Sequence, residues 1–327
     1  MARAGRRGAV GTREDAVRLA VIGASGFVGQ HVVQLLLARD DVDRLCLMDK
    51  VAGPLAGKGR ADGRVTVLRA GLEEPDARAR LLDEADRFIV LSGILGGGAE
   101  ADPALARRVN VDATLDLLQE LAAAPGRARV VFASTIAVLG NALPDPTGDD
   151  APFNPVMLYG AQKLMMEIAL ANYSERGQLD GLSLRPSGIM ARDGVDAALK
   201  TAFMSRLFHA IRRGEDIVLP VGPEHRTWLT SVGTVAANFV HAAVMPTGGM
   251  ATADRSMTLP ALCLSFGALI EALRRRYPDS PSRVSFAPDA EIVRLFGDFP
   301  AIETPRADRL GFARDRDADD LVQNSMS

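Results

Sequence analysis

The chain contains 327 residues, of which 47% are apolar, and its 38 basic and 41 acidic side chains give a formal net charge of −3. The apolar fraction argues against a wholly disordered chain, and the slight acidity argues against a dedicated nucleic-acid-binding protein. Two cysteines and four scattered histidines predict neither a disulfide framework nor a histidine-based metal site.

Residues 1–17 form the first predicted segment. They carry paired arginines but no hydrophobic stretch, which predicts a flexible basic tail and not a signal peptide. No uncharged apolar run in the chain approaches the ~20 residues of a transmembrane helix. We therefore expect a soluble, cytoplasmic protein that has neither nucleic acid nor a membrane as its partner.

Short apolar strands alternate with helices through the first half of the chain. The predicted strands are 17–22, 44–48, 64–68, 88–91 and 130–133. The predicted helices are 31–38, 77–85 and 103–124, the last with Asp102 as its N-cap. This alternation is typical of parallel βαβ units and predicts an α/β fold with a doubly wound parallel sheet. The loops 70–75 and 92–98 should then lie at the ligand-binding edge of that sheet.

The alternation weakens in the second half. Helices are predicted over 155–176, 197–213, 231–244 and 265–276, with strands over 182–185 and 217–219 and a loop over 220–226. We expect a smaller, partly helical lobe that closes a cleft over the sheet edge. The predicted division assigns 18–189 and 228–262 to the doubly wound domain, and 190–227 and 263–327 to the substrate lobe.

A glycine-rich turn joins the first strand to the first helix in the segment GASGFVG. Gly23 allows a tight turn, Gly26 lets the backbone approach a pyrophosphate, and Gly29 lets helix and strand pack closely. Helix-start amides would face the anion. The context favours a dinucleotide-binding Rossmann fold over a glycine cluster that only makes a turn. The residues expected to contact the cofactor here are Gly23, Ser25, Gly26, Phe27, Val28 and Gly29.

Asp49 ends the second predicted strand, at the position where a carboxylate can accept hydrogen bonds from both hydroxyls of the adenosine ribose. Its charge would repel a 2′-phosphate, so the sequence favours NAD over NADP as cofactor. The adjacent Lys50 weakens this preference, because it could meet a phosphate.

Tyr159 and Lys163 stand four residues apart near the start of a predicted helix, so they share one face. A phenol has a pKa near ~10, and the neighbouring ammonium of Lys163 would lower that pKa toward the range of a useful base. The other protons of Lys163 could reach the ribose hydroxyls of the cofactor, so Tyr159 and Lys163 are also predicted to contact the cofactor. Ser134 and Thr135 follow a strand and supply hydroxyls that could hold a substrate oxygen. The alternative is a packed tyrosine beside a solvated lysine.

With these motifs the chain resembles the extended branch of the short-chain dehydrogenase/reductase superfamily, the NAD-dependent epimerase/dehydratase family. The resembling segments are GASGFVG (23–29), RVNVDAT (108–114), FASTIAVLG (132–140), YGAQK (159–163), LRPSGIM (184–190) and RLGF (309–312). The resemblance implies Tyr159 as general acid/base and Lys163 as its activator. Thr135 matches the hydroxyl that binds the substrate oxygen, with Ser134 beside it.

The same resemblance implies further cofactor contacts. Leu72, Ser92 and Pro186 would lie along the cofactor, and Asn110 would brace the helix that follows the fourth strand. The chain departs from the family at 70–72, where Ala-Gly-Leu replaces Gly-Asp-Leu and removes the carboxylate that meets adenine. Adenine recognition must then rely on the backbone there.

Within the family, the resemblance is nearest to dehydrogenases of sugar acids such as D-erythronate, over 100–102, 159–181 and 223–229. It implies oxidation of the C2 hydroxyl of an aldonate to the 2-oxo acid with NAD. A substrate carboxylate needs a cation, and Arg192 and Arg226 are the candidates, although either could be a solvated surface residue. Two alternatives stay open: a nucleotide-sugar epimerase or dehydratase that retains NAD, and a non-catalytic NAD-sensing protein.

The family also implies a homodimer, because the helices equivalent to 103–124 and 155–176 usually pair with their copies. Apolar residues on both helices suit such an interface. Packing within one chain would explain them equally well.

Overall fold

The computed structural model describes residues 17–51, 62–194 and 201–326. Their strands are β1 (Val17–Ile22), β2 (Val42–Met48), β3 (Val65–Leu68), β4 (Arg87–Val90), β5 (Arg129–Ala133), β6 (Asp180–Arg185), β7 (Gly188–Ile189), β8 (Ile217–Leu219), β9 (Arg226–Thr230), β10 (Ser256–Thr258), β11 (Leu262–Ser265) and β12 (Val284–Phe286). A seven-stranded sheet of order β10-β6-β5-β4-β1-β2-β3 forms the centre, and every neighbouring pair in it is parallel. The predicted doubly wound α/β fold is confirmed.

Helices cover both faces of this sheet. In chain order they are α1 (Phe27–Leu37), α2 (Pro75–Glu84), α3 (Gly96–Ala101), α4 (Pro103–Arg107), α5 (Ala113–Ala123), α6 (Leu158–Glu175), α7 (Ala202–Arg213), α8 (Val232–Val244), α9 (Phe266–Arg276), α10 (Ala290–Phe296), α11 (Pro305–Arg309) and α12 (Ala318–Ser325). One buried cluster packs α1 and α8 against the sheet, and the other packs α2, α5 and α6 against the opposite face. The strand side chains alternate between these two clusters, as the pleat of a strand requires.

The winding order places a ligand crevice at one point of the sheet. From β1 the chain proceeds outward to β2 and β3, and then returns to β4 on the other side of β1. In open sheets of this kind, ligands bind beyond the carboxyl ends of the two strands at that reversal. The loops that follow β1 and β4 therefore form the walls of the expected site.

Two predicted elements differ from the observed ones in an informative way. The loop predicted over 92–98 is helical from Gly96, where α3 begins. The helix predicted over 103–124 begins as expected, since Asp102 accepts a hydrogen bond from the amide of Leu105 at 2.9 Å. A π-helical turn at Arg108–Asp112 then separates α4 from α5. Such turns insert one residue into a helix and occur often at functional sites.

The second half forms small sheets of order β11-β9-β7 and β12-β8, and a separate apolar cluster that includes residues of α7, α9 and α12. Residues 228–230, expected in the doubly wound domain, lie in β9 of the three-stranded sheet. These strands are too short to show an alternating pattern, which is why the sequence did not reveal most of them. The predicted helix 197–213 is observed from Ala202, and its first residues fall outside the described ranges. At the other end of the chain, Val17 already belongs to β1.

Over the described ranges, no helix combines the length and the apolar content needed to cross a bilayer. Within the same ranges, no group of three histidine, cysteine or acidic side chains is arranged to hold a metal ion.

Candidate active site

The glycine turn after β1 is built by backbone alone. Gly23 adopts a φ of +87°, and a Cβ at Gly29 would lie 2.2 Å from the carbonyl oxygen of Gly23. The turn leads into α1, whose N-cap, Gly26, makes no side-chain capping hydrogen bond. Amides of the first helical turn are left for a ligand, which fits a pyrophosphate bound at a helix N-terminus.

The two loops at the sheet reversal approach each other closely. A Cβ at Gly23 would lie only 2.8 Å from the backbone nitrogen of Ser92. The predicted cofactor residue Ser92 therefore borders the glycine turn. A Cβ at Gly93, one residue further on, would come within 3.4 Å of Nζ of Lys163. The loop after β4 thus connects the glycine turn to the predicted catalytic lysine.

Asp49 faces the glycine turn from the end of β2. Its carboxylate accepts hydrogen bonds from the amides of Ser25, at 2.9 Å, and Val51, at 3.1 Å. Each carboxylate oxygen retains capacity for a further hydrogen bond, as ribose recognition requires. Lys50, which could have met a phosphate, forms an ion pair with Glu73.

A small depression lies beside Asp49, at the place where the sequence predicts the adenosine ribose. Its walls include Ser25, Asp49, Val51, Val67 and Arg69. The last three of these were not predicted from the sequence, because apolar and basic residues near strand ends carry no specific motif. The predicted cofactor residue Leu72 lies in the loop after β3, where its side chain packs in the apolar core and its carbonyl accepts a hydrogen bond from Arg78.

Asn110, which the resemblance implies as a brace of a helix, binds the loop after β4 with its side chain. Its amide accepts from the nitrogen of Ile94 at 2.8 Å and donates to the oxygen of the same residue at 3.0 Å. It also donates to Gln162 of α6 at 2.7 Å. Asn110 lies within the π-helical turn, so the inserted residue of that turn is what brings the amide to this loop.

Tyr159 lies in the first turn of α6, and Thr135 lies just beyond β5. The Thr135 hydroxyl lies close enough to that of Tyr159 to lower the pKa of the phenol. Thr135 accepts a hydrogen bond from the amide of Ala137 at 3.1 Å, which leaves its own proton free to donate. Burial raises the pKa of Tyr159 to about 12, and the effect of Thr135 opposes that shift.

Lys163 is 2% exposed and lies beneath the tyrosine. Its Nζ is 5.8 Å from the ring centroid of Tyr159 and 4.5 Å from that of Phe132. Burial lowers the pKa of Lys163 to about 8, against the opposing effect of Glu167. A buried ammonium near a phenol favours the phenolate, so the pair can take and return a proton.

Thr135 and not Ser134 is brought to Tyr159. The Ser134 hydroxyl is buried and donates to Glu167, which Arg185 also binds. Consecutive side chains at a strand end point in opposite directions, so only one of the two hydroxyls can face the cleft. Pro186, another predicted cofactor residue, lies beside this loop, because its carbonyl accepts a hydrogen bond from the amide of Ile136 at 3.3 Å.

The two arginines predicted to bind a substrate carboxylate are exposed. Arg226 lines a polar cleft of about 340 Å³ together with Asn141, Asp145, Glu224 and Asp298. Arg192 follows a residue of positive φ, Ala191, at +66°. The described hydrogen bonds join neither arginine to Tyr159 or Lys163.

Comparison with known proteins relates this site to a family. The sequence profile of the NAD dependent epimerase/dehydratase family matches residues 19–249. The chain is 33% identical to D-erythronate dehydrogenase of Cupriavidus necator, over 94% of this chain and 97% of that protein. It is 30% identical to D-erythronate dehydrogenase of Haemophilus influenzae, over 94% and 98% of the respective lengths.

Solved structures give the same result for the fold. The crystal structure of a nucleoside-diphosphate-sugar epimerase from Agrobacterium tumefaciens superimposes with a TM-score of 0.82 and 30% identity, over 94% of this chain and 93% of that chain. L-threonine dehydrogenase from Phytophthora infestans superimposes with a TM-score of 0.79 at 20% identity, over 94% and 97%. At that identity the likeness to the threonine enzyme concerns the fold alone.

Proposed function

The chain belongs to the NAD dependent epimerase/dehydratase family, and from that premise we propose that it is an NAD-dependent dehydrogenase that oxidises the C2 hydroxyl of a sugar acid such as D-erythronate to the 2-oxo acid. The observation that carries the proposal is the contact of Tyr159 with Thr135 above the buried Lys163. The similarity to D-erythronate dehydrogenases along almost the full length supports the choice of substrate.

The residues of the chain handle the proton. Thr135 and Tyr159 hold the substrate hydroxyl, and Tyr159 takes its proton as the C2 hydrogen departs with its electron pair. Lys163 stabilises by its ammonium group the phenolate form that Tyr159 must have before the transfer, and the transfer leaves Tyr159 as a neutral phenol. NAD, when bound, supplies the acceptor for that hydride. Burial raises the pKa of Tyr159 to about 12, so Tyr159 must first release its own proton to solvent, and the positive charge of Lys163 favours that release.

The cofactor choice is part of the proposal. Asp49 is fixed by the amides of Ser25 and Val51 and carries its charge at the position of the adenosine ribose. A 2′-phosphate there would meet this carboxylate, and Lys50, the adjacent cation, is already engaged with Glu73. These contacts favour NAD over NADP.

The runner-up is a nucleotide-sugar epimerase or dehydratase, the class of the structurally similar Agrobacterium protein. The cleft at Arg226 weighs against it. Arg226 is the single cation among the residues that line this cleft, beside Asp145, Glu224 and Asp298, so the cleft suits the one negative charge of an aldonate better than the two of a diphosphate. The same carboxylates can accept hydrogen bonds from the hydroxyl groups of a small polyhydroxy acid.

We expect NAD-dependent turnover of at least one four- to six-carbon aldonate. The measurement is the rise in absorbance of reduced nicotinamide with purified protein, NAD or NADP, and a panel that includes D-erythronate. Activity should be at least about tenfold higher with NAD than with NADP, because the Asp49 carboxylate would repel the 2′-phosphate. No turnover of any aldonate, together with NAD that co-purifies with the protein, would favour the nucleotide-sugar epimerase or dehydratase. No turnover, with NAD that binds and dissociates freely, would favour a non-catalytic NAD-sensing protein.

We also propose a cytoplasmic homodimer formed through α6. Met165 and Ile168 of α6 are 52% and 63% exposed, although both are large and apolar. They lie three residues apart and therefore on one face of the helix, which suits an interface.

Sedimentation should give twice the 34.7 kDa mass of one chain. Ile168→Glu should shift the protein to monomers, because a carboxylate at the interface would be buried without a partner. Val218→Glu, at a 60% exposed apolar residue of β8, serves as the control and should leave the dimer intact. A monomeric unmodified protein would contradict the proposal.

A further inference from the structure

Three buried side chains form a cluster below the proton-transfer pair. Glu167 is 2% exposed and Arg185 is 3% exposed. The guanidinium of Arg185 binds both carboxylate oxygens, with Nε 2.9 Å from Oε1 and Nη2 2.5 Å from Oε2. The Ser134 hydroxyl donates to Oε1 as well. The Glu167 carboxylate is therefore fixed from two sides.

Helix spacing connects this cluster to the catalytic lysine. Tyr159, Lys163 and Glu167 follow one another at intervals of four, so they lie along one face of α6. Arg185 is the last residue of β6, and Ser134 follows the last residue of β5. The cluster thus joins that helix face to the same sheet edge that carries the substrate-binding hydroxyl.

The environment of Lys163 gives the cluster an electrostatic role. The charged and titratable groups of the described residues that face Lys163 or its partner are Tyr159, Glu167 and Arg185. Its neutral neighbours are the ring of Phe132 and the side chain of Asn110. Burial depresses the pKa of Lys163, and Glu167 is the charge that opposes this shift. Arg185 in turn holds the buried carboxylate in place through both of its oxygens.

We infer that Ser134, Glu167 and Arg185 are positioning residues that hold a fixed negative charge one helical turn from Lys163, beneath the substrate. Ser134 belongs to this cluster and not to the substrate-binding hydroxyls. The inference rests on the proposed function and deepens it, because the cluster acts through the lysine that would hold both the phenolate and the ribose of NAD.

A second buried ion pair in the same sheet supplies a matched control. Asp180 accepts from Arg255 at 2.7 Å and from Arg129 at 2.7 Å. Asp180 and Arg129 begin β6 and β5, so this group lies at the amino ends of the strands, whereas Lys163 lies near their carboxyl ends. Disruption of either buried group should lower the thermal stability, but only disruption of the cluster near Lys163 should change the charge of that lysine.

The test is the dissociation constant for NAD, measured by calorimetry from about pH 6.5 to 9.5, with melting temperatures recorded alongside. In Glu167→Gln, the pH at which NAD affinity falls should move down by about one unit, because Lys163 loses its proton more readily without the carboxylate. Asp180→Asn should lower the melting temperature without moving that pH. Glu167→Asp keeps the charge and should retain the pH profile of the unmodified protein.

Unpaired Arg185 could prevent Glu167→Gln from folding, so the double variant Glu167→Gln/Arg185→Gln, which leaves no unpaired buried charge, carries the same prediction. Normal NAD binding with an unchanged pH profile in the folded variant would overturn this inference alone. No NAD binding by the unmodified protein would overturn the proposed function with it.

The place of Ser134 is tested separately by turnover. Ser134→Ala should lower kcat/KM by about tenfold at most, because Glu167 loses one hydrogen bond and keeps Arg185, whereas Thr135→Val should lower it by about 100-fold or more, as loss of a group touching the reacting oxygen does. Equal losses in both variants would return Ser134 to the substrate site and overturn its assignment to the cluster.

Discussion

Tyr159→Phe should lower kcat by about 1,000-fold, in the range expected when a general acid/base is removed. The phenylalanine ring keeps the packing of the first turn of α6 but cannot accept the proton of the substrate hydroxyl. Affinity for NAD, measured by calorimetry, should change little, because Lys163 and the glycine turn remain. The loss should therefore appear in turnover and not in cofactor binding.

Tyr173→Phe is the matched control for this variant. Tyr173 lies in the last turn of α6, far along the helix from Tyr159, and packs against the apolar core between helix and sheet. Its loss of a hydroxyl should leave kcat within about twofold of the unmodified value, as for a change remote from the site. If Tyr159→Phe retained near-normal turnover, Tyr159 would not be the proton acceptor.

Gly29→Ala should weaken NAD binding by about 100-fold or more, since a misplaced phosphate-binding turn forfeits several hydrogen bonds at once. The added Cβ would lie 2.2 Å from the carbonyl oxygen of Gly23 and 2.9 Å from the backbone of Ala24. No side chain can yield there, so the turn itself must move away from α1. Fluorescence titration with NAD measures the effect.

The melting temperature of Gly29→Ala shows whether weaker NAD binding results from a displaced turn or from unfolding of the domain. The forced backbone shift should cost about 1–3 kcal/mol of unfolding free energy, which leaves a domain of this size folded. Gly148→Ala is the control, because a Cβ there meets no atom within 4 Å. Undiminished affinity in Gly29→Ala would show that NAD does not bind at the glycine turn.

Local sequence patterns identified six of the seven strands of the central sheet and missed its three-residue edge strand β10. Apolar runs bounded by glycine and polar residues identify β1 to β6, because parallel strands are buried on both faces and read as continuous apolar stretches. The small strands β7, β9 and β11 are two to five residues long and pair across large separations, so no local signal marks them. The interruption between α4 and α5 was also missed, since a π-helical turn uses the same helix-forming residues as its neighbours.

The site was predictable where spacing encodes geometry. The interval between Tyr159 and Lys163 fixes their common face, and the glycine turn fixes the backbone around the cofactor. The sequence could not show that Thr135 faces Tyr159 while Ser134 is buried, because this depends on which of the two side chains contacts Glu167. The signal for Glu167 was available in principle: an acidic residue four positions after a buried lysine continues the same helix face.

The number of residues in the π-helical turn at Arg108–Asp112 also decides which side chains of α5 face the sheet. One inserted residue advances an α-helix by about 100° around its axis. The core-facing residues of α5, such as Leu117 and Leu121, therefore meet the sheet in a rotational phase that depends on the insertion. Deleting one residue here would restore an unbroken helix, but it would turn these leucines off the core and withdraw Asn110 from Ile94 together. A deletion or insertion in this turn would therefore disturb the loop after β4 and the packing of α5 at the same time.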